Sequence, residues 1–266
     1  MKILIATPAY GETVTTTYFD AILWLREHFR ERHPHIRFEH KFMSLAMLPF
    51  VRNFFASLVL NDPSFTHLLF VDADMGFAPS LIENMIAVDK PVVGCFCPQR
   101  RLDLERLYAL RERIADSQLA RLVAQDYVGA GSIVFAGGGN EKAGDTRSVD
   151  QLVVEGACLK VREAGTGIML IKREVFERLK ARFPELWCEH IEESYARFGL
   201  SGGVLQCFEP MPDERGLYAG EDVSFCRRWV EGCGGEIWSV ATETVVHVGT
   251  EKFVGNYLAK LRHGFV

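Results

Sequence analysis

The amino-acid sequence predicts an α/β fold built on a mostly parallel sheet, and three observations carry that expectation. Short runs of successive apolar residues recur: Ile3 to Ala6, Leu68 to Val71, and Val92 to Cys97. Runs that are apolar at nearly every position belong to strands covered on both faces by helices. Segments with apolar residues at helical spacing separate them. Each run then stops at a turn-forming cluster, "TPAYG", "DADMG" or "CP". Strand and helix in alternation are the mark of an α/β sheet.

The elements follow in order. The first strand spans Ile3 to Ala6. A helix from about 15 to 32 carries Tyr18, Ile22, Leu25 and Phe29 on one face. A second, over 48–60, carries Val51, Phe54, Phe55, Leu58 and Val59, and "NDPS" ends it. The strand Leu68 to Val71 comes next. Pro79 suits the first turn of a short helix with Leu81, Ile82, Met85 and Ile86. "KPVVGCFCP" is another strand, closed by Pro98.

Residues 103–125 read as one charged helix with Leu104, Leu107, Leu110 and Ile114 along one side. A short strand and a glycine-rich loop follow. Strands and a helix beginning near Lys172 come next, and residues 184–215 are loop-rich and aromatic. A helix from Asp222 to Val230 follows "YAGED". Two strands hold Ile237, Trp238, Val245 and Val246. A final amphipathic helix is expected over Phe253, Tyr257, Leu258 and Leu261. There is no internal repeat and no long linker, so a single domain over 1–266 is expected, with inserted loops.

Composition excludes several classes. Of 266 residues, 48% are hydrophobic and 24% charged, an ordinary globular profile. A net charge of −5 without a clustered basic stripe argues against a nucleic-acid partner. The seven cysteines show no CxxC spacing, so neither a zinc ribbon nor a thioredoxin-type site is expected. Cys95 and Cys97 sit in an apolar run and are expected to be buried thiols. The start, "MKILIATPAYG", lacks the features of a signal peptide, and no run of ~18 apolar residues occurs. The expected location is the cytoplasm. Contact with the inner face of the membrane stays open, because the last helix carries Lys260, Arg262 and His263. Packing of that helix on its own domain explains the same stripe.

Chemistry is expected where strands end. Ligands of open α/β sheets collect outside the carboxyl ends of the strands. Asp72, Ala73 and Asp74 directly follow a buried strand. Two carboxylates so close repel each other, and a divalent cation shared with a phosphate removes that repulsion. Aspartates also serve ordinary turns. "YAGEDVSFCRRW" puts Glu221 and Asp222 at a helix start, where the dipole favours carboxylates. They can cap the helix, or accept a proton from an attacking hydroxyl. In "TVVHVG", His247 can be a hydrogen-bonded side chain or a third metal ligand beside the aspartates. Gly165, Thr166 and Gly167 precede a strand, and glycines there permit close backbone approach or a plain turn. They do not form a dinucleotide fingerprint.

In that order, DxD then ED then His, the chain resembles the GT-A fold glycosyltransferases, the family-two-like enzymes that use nucleotide sugars. "TPAYG", "RN" at Arg52 and Asn53, "FVDADMGFAP", "AGTGIMLIKREVF", "GEDVSFCRRW" and the late "HVG" carry the resemblance. It is weakest over 100–150 and 184–215. The resemblance implies a GT-A (Rossmann-like) fold with a nucleotide-sugar half over 1–100 and an acceptor half over 101–266. It implies Mn²⁺ or Mg²⁺ held by Asp72, Asp74 and His247, with Asp74 a direct ligand and Asp72 on the ribose or the metal. Thr7, Pro8 and Tyr10 would line the base and ribose pocket, joined by Ala73 and Gly167. Arg52 and Asn53 would face the nucleotide or pair with the aspartates. Lys252, Arg100 and Arg101 would add positive charge near the diphosphate. Asp222 would be the base of an inverting transfer, with Glu221 the alternative; a retaining enzyme would use the ED pair otherwise.

Phe183, Trp187, Tyr195, Phe198 and Phe208 would form an acceptor platform or join the core. The glycine-rich segments 137–148 and 199–203 would serve as lids. The implied activity is transfer from a UDP- or GDP-sugar to a glycan or glycolipid hydroxyl. Two other classes stand beside it. A nucleotidyltransferase of related fold would need basic residues after the first strand, and "TPAYGE" has none. A non-catalytic sugar- or protein-binding module would be expected to have lost some of Asp72, Asp74, Asp222 and His247. The oligomeric state stays open.

Overall fold

The computed structural model describes residues 1–136, 151–190, 193–250 and 252–264. The chain opens with β1 (Lys2–Pro8), α1 (Thr16–Arg32), β2 (Arg37–Met43), α2 (Leu48–Asn61), β3 (His67–Val71) and β4 (Met75–Phe77). It continues through α3 (Pro79–Ala87), β5 (Val92–Cys95), β6 (Pro98–Leu102), α4 (Leu104–Leu110), α5 (Ser117–Ala124) and β7 (Gln125–Tyr127). Then come β8 (Val154–Glu155), β9 (Cys158–Val161), β10 (Ile168–Lys172), α6 (Arg173–Arg182), β11 (Trp187–Cys188), α7 (Glu193–Arg197) and β12 (Val204–Leu205). The last elements are α8 (Glu221–Arg227), β13 (Ile237–Val240), β14 (Thr244–Val248), β15 (Lys252–Asn256) and α9 (Tyr257–Arg262).

An eight-stranded sheet in the order β2-β1-β3-β10-β5-β13-β9-β8 forms the centre. Its pairings make six strands run one way, and only β10 and β9 oppose them. The result is the expected α/β architecture, a mostly parallel central sheet flanked by helices. Side chains alternate between two packed layers. Leu4, Ala6, Leu68 and Phe70 meet α2, α6 and α8, whereas Ile3, Ile5, Leu69 and Val71 meet α1 and α3. Every β3 side chain is buried, so the run reads as uniformly apolar.

The structure departs from the sequence reading in four places. Residues 103–125 form two helices, α4 and α5, each started by an aspartate cap, Asp103 and Asp116. Strand β2, "RFEHKFM", has mixed polarity because it is the edge strand, and no apolar run announces it. The segment with Phe253 is a strand, β15, paired with β14, so the final helix has only six residues. Its Lys260 is buried and donates to the Gln125 carbonyl at 2.7 Å, which removes one charge from the stripe that suggested membrane contact. The 199–203 segment is anchored at its end, where Asn61 donates to the Gly203 carbonyl at 2.8 Å and Gly203 lies against the Trp187 ring, while Gly199, Ser201 and Gly202 are exposed. The 137–148 segment lies outside the described residues. Among the described residues, no helix is long and apolar enough to cross a membrane.

A half-buried histidine, His40, and a buried one, His67, are expected to make the fold acid-sensitive. Burial, aided by Arg26, lowers His40 to about 4, and burial, aided by Lys172, lowers His67 to about 4. Between pH 6.5 and about 4 the unfolded chain takes up protons that the folded chain refuses. Stability therefore falls as pH falls through that window. Urea midpoints measured across it are expected to decline, and His67→Gln to flatten the decline; an unchanged slope would count against this origin.

Candidate active site

The acids sit at the carboxyl edge of the sheet for a topological reason. β1 and β3 run parallel and end together, at Pro8 and Val71. β10 runs the opposite way, so its first residue, Ile168, lies opposite Val71. The turn before β10 therefore lands beside the residues after β3. The Asp72 backbone N–H donates to the Gly167 carbonyl at 2.8 Å. A Cβ on Gly167 would lie 3.9 Å from an Asp72 carboxylate oxygen. On the other side, Thr15 donates its backbone N–H and its hydroxyl to the Ala73 carbonyl, at 2.9 and 3.3 Å. Thr15 also caps α1 through the Tyr18 N–H, so that helix and the acidic turn share one anchor.

His247 arrives by strand pairing. The three residues after the acidic turn form β4, which pairs with β14 so that Met75 lies opposite His247. The Val248 N–H donates to the Asp74 carbonyl at 2.9 Å. His247 Nε2 lies 3.5 Å from Asp74 Oδ2, and its Nδ1 lies 2.9 Å from the Pro98 carbonyl. A carbonyl only accepts, so Nδ1 carries a proton and Nε2 is the atom turned to the carboxylate. Arg100 reaches the same Asp74 oxygen at 3.3 Å from an exposed position. Burial pushes the Asp74 carboxyl up, but His247 and Arg100 outweigh it and hold it below the usual range. Burial pushes His247 down, and its contacts with Asp74 and Pro98 outweigh that and raise it.

Arg52 is the buried cation of the site, with a side chain only 1% exposed. Its Nη2 donates to both Asp72 oxygens, at 3.0 and 3.1 Å, and its Nε lies 3.6 Å from Glu221 Oε1. The guanidinium stacks over the Phe70 ring at 4.8 Å. Of the two orientations expected for Arg52, this is the pairing with a sheet-end aspartate. Burial holds the Asp72 carboxyl above its usual range despite Arg52, helped by Asp74 and Glu221 nearby. Asp222 begins the same helix as Glu221 and makes a different set of contacts. Its Oδ1 accepts the Val223 N–H at 2.7 Å, and a Cβ on Gly165 would lie 3.8 Å from its Oδ2. The Gly165-Thr166-Gly167 turn thus spans the distance between Asp222 and Asp72.

A cleft of about 610 Å³ opens over the acidic turn. Pro8, Tyr10, Asp72, Ala73, Asp74 and Arg100 line it, with Thr13 to Thr15, Leu45, Ala46 and Leu48 completing the wall. Tyr10 is 74% exposed. Other expected residues lie elsewhere. Thr7 is fully buried and shares a hydrogen-bonded triangle with Tyr18 and His40. Asn53 is buried as well, donating to Glu209 and accepting the Phe208 N–H, both at 2.8 Å. Lys252 is exposed on β15 and lines a separate cavity with Leu102, Gln118 and Arg121. Arg101 is exposed beside it in sequence to Arg100, outside the cleft lining. Among the aromatics, Phe208 is buried and stacked on Phe225, Tyr195 stacks on Phe50, and Trp187 lies under Lys180.

Three contributors escaped the sequence reading: Thr15, the Pro98 carbonyl and Glu209. Thr15 has a readable signal, a helix-capping threonine. A backbone carbonyl that orients a histidine and a loop glutamate that meets Asn53 depend on tertiary pairing and leave none.

No family model matches the chain, and no curated protein matches it. Among solved structures, A197 from STIV aligns over 94% of this chain and 86% of its own, at 14% identity and a TM-score of 0.44. A protein assigned as a glucose-1-phosphate thymidylyltransferase, from Bacillus anthracis and in complex with a sucrose, aligns over 75% of this chain and 84% of its own, at 12% identity and a TM-score of 0.30.

Proposed function

We propose that the protein is a metal-dependent glycosyltransferase, moving a sugar from a UDP- or GDP-linked donor to a hydroxyl acceptor in glycan or glycolipid synthesis of bacterial type. The observation that carries this reading is that Asp74, 3.5 Å from His247, lines an open cleft together with Asp72 at one sheet edge. The carboxylate oxygens suit Mn²⁺ or Mg²⁺, and the imidazole nitrogen, whose partner nitrogen is tied to a carbonyl, favours Mn²⁺ of the two. Asp74 and His247 would hold the ion, with Asp72 beside them. Bound there, the cation would offset the charge that a leaving nucleoside diphosphate gains.

The chain's own residues divide the remaining work. Pro8 and Tyr10 form the wall for base and ribose. Arg52 fixes Asp72 toward the ribose or the ion. Arg100, exposed, can exchange Asp74 for a phosphate oxygen. The acceptor oxygen attacks the anomeric carbon, the bond from that carbon to the diphosphate breaks, and the hydroxyl proton passes to Asp222. Asp222 is favoured over Glu221 because Glu221 already faces the Arg52 guanidinium. Residues 1–100 would serve the donor and 101–266 the acceptor. The loop after β1 carries no basic residue for a triphosphate, which weighs against nucleotidyl transfer.

Asp74→Asn tests the reading. Calorimetric titration with UDP and GDP, with and without Mn²⁺, is expected to show metal-dependent binding that the variant loses at least tenfold. Equal affinity in the variant would remove the metal assignment.

A further inference from the structure

We propose a second cation site, unconnected with sugar transfer, formed by His28, His33 and Glu83 and suited to Zn²⁺. His28 Nε2 lies 2.7 Å and His33 Nε2 2.8 Å from one and the same oxygen, Glu83 Oε1. All three candidate ligand atoms lie within 4.8 Å of one another. Around a tetrahedral zinc, bonds of about 2.0–2.2 Å to nitrogen and oxygen place ligand atoms about 3.3 Å apart. In a coordination shell the two nitrogen–oxygen contacts would open by about half an ångström, and the two nitrogens, within 4.8 Å of each other, would close on the ion.

The surroundings favour an ion there. His28 is in the last turns of α1, and His33 is the residue that ends it. The carbonyl end of a helix carries partial negative charge and stabilises a cation. The Phe29 ring packs against both imidazoles, with centroids 5.8 and 5.0 Å away, and limits their rotation. All three side chains are partly buried, so one face stays open to water as a further ligand. Two imidazoles and one carboxylate suit zinc, or another borderline transition ion, and not Mg²⁺, which demands oxygen.

The position also assigns a role. Glu83 comes from α3, so an ion here would fasten α1 to α3. α1 begins beside Thr15, which grips Ala73, and α3 begins just after β4. The two helices bracket the acidic turn, and the proposed ion sits at the far end of α1, about 25 Å along a 17-residue helix. It would act as a clamp on the helices that hold the active-site turn, not as a participant in transfer.

The full-length protein, stripped of metal by a chelator that is then removed, is titrated with Zn²⁺ in the Asp74→Asn, His247→Gln background. That background eliminates the other candidate site. One zinc is expected to bind, raising the Tm by ~5–10 °C at a hundredfold excess over Kd. Adding His33→Gln, or separately Glu83→Gln, is expected to weaken zinc at least tenfold. Co²⁺ should give the visible bands of a tetrahedral site, lost in either variant. Should one variant fail to fold, the other carries the same test, since each removes one ligand from a different helix end. Absence of zinc binding in the background protein would overturn the site. So would unchanged zinc affinity in a folded His33→Gln or Glu83→Gln variant, leaving the cluster a plain imidazole–carboxylate hydrogen-bond network.

Discussion

Asp222→Asn is expected to lower turnover 10²- to 10⁴-fold while leaving donor affinity within twofold. The acceptor need not be known to measure this, because slow donor hydrolysis uses water in its place and releases a nucleoside diphosphate. The expectation rests on how the two neighbouring acids are engaged. Glu221 lies 3.6 Å from the buried Arg52 and is held as part of that ionic cluster. Asp222 accepts one N–H through Oδ1, from its own helix, and leaves Oδ2 beside Gly165. A Cβ at 165 would stand 3.8 Å from that oxygen and would press on Val128 at 2.8 Å, so glycine there serves the packing against Val128. Glu221→Gln should act differently, by loosening Arg52 and with it Asp72, and so should weaken donor binding more than the chemical step. Wild-type hydrolysis in Asp222→Asn would remove it as the base. A large loss of donor affinity in that variant would place it in the donor pocket instead.

How far the sequence could be read depended on how far each feature is local. β1, β3 and β5 announced themselves because strands buried on both faces are apolar throughout. β2 did not, since an edge strand with one solvated side carries Arg37, Glu39 and Lys41 among its apolar positions. The break between α4 and α5 was legible in principle, as Asp116 stands in a capping position before Ser117, but the leucine spacing outweighed it. The reversed direction of β10 could not be read from residue patterns at all. It arises from pairing with β3 and β5, and it is what carries Gly167 to the acids.

The site shows the same division. Asp72 and Asp74 were visible because an acidic pair ending an apolar run is a local pattern. The closeness of Asp74 and His247 spans more than 170 positions and depends on β4 pairing with β14. Thr7 and Asn53 illustrate the opposite failing. Both lie at the right end of the right element, yet burial turns their polar atoms inward, to Tyr18 and His40 in one case and to Glu209 and Phe208 in the other. Adjacency to a sheet edge indicates where a residue's backbone goes. Hydrogen-bond demand within the core decides where its side chain goes.

Arg52→Met is expected to lower stability by about 3 kcal/mol, a Tm drop of ~6–12 °C for a chain of this size. Methionine fills much of the same volume, so a cavity accounts for little of the loss. What disappears is the cation between Asp72 and Glu221, in a cluster that also holds Asp74. Among the described residues, the partners left to the three carboxylates would be His247 and the exposed Arg100, both on Asp74. Repulsion of this kind has two consequences that packing loss does not. Asp72→Asn should partly rescue Arg52→Met, so that a double-mutant cycle gives a coupling of about 1–3 kcal/mol, where independent effects would simply add. Mn²⁺ should also raise the Tm of Arg52→Met more than that of the wild-type protein, because an added cation takes up charge that Arg52 no longer offsets. Additive losses together with equal responses to Mn²⁺ would mean that Arg52 acts through its stacking on Phe70 and not through charge.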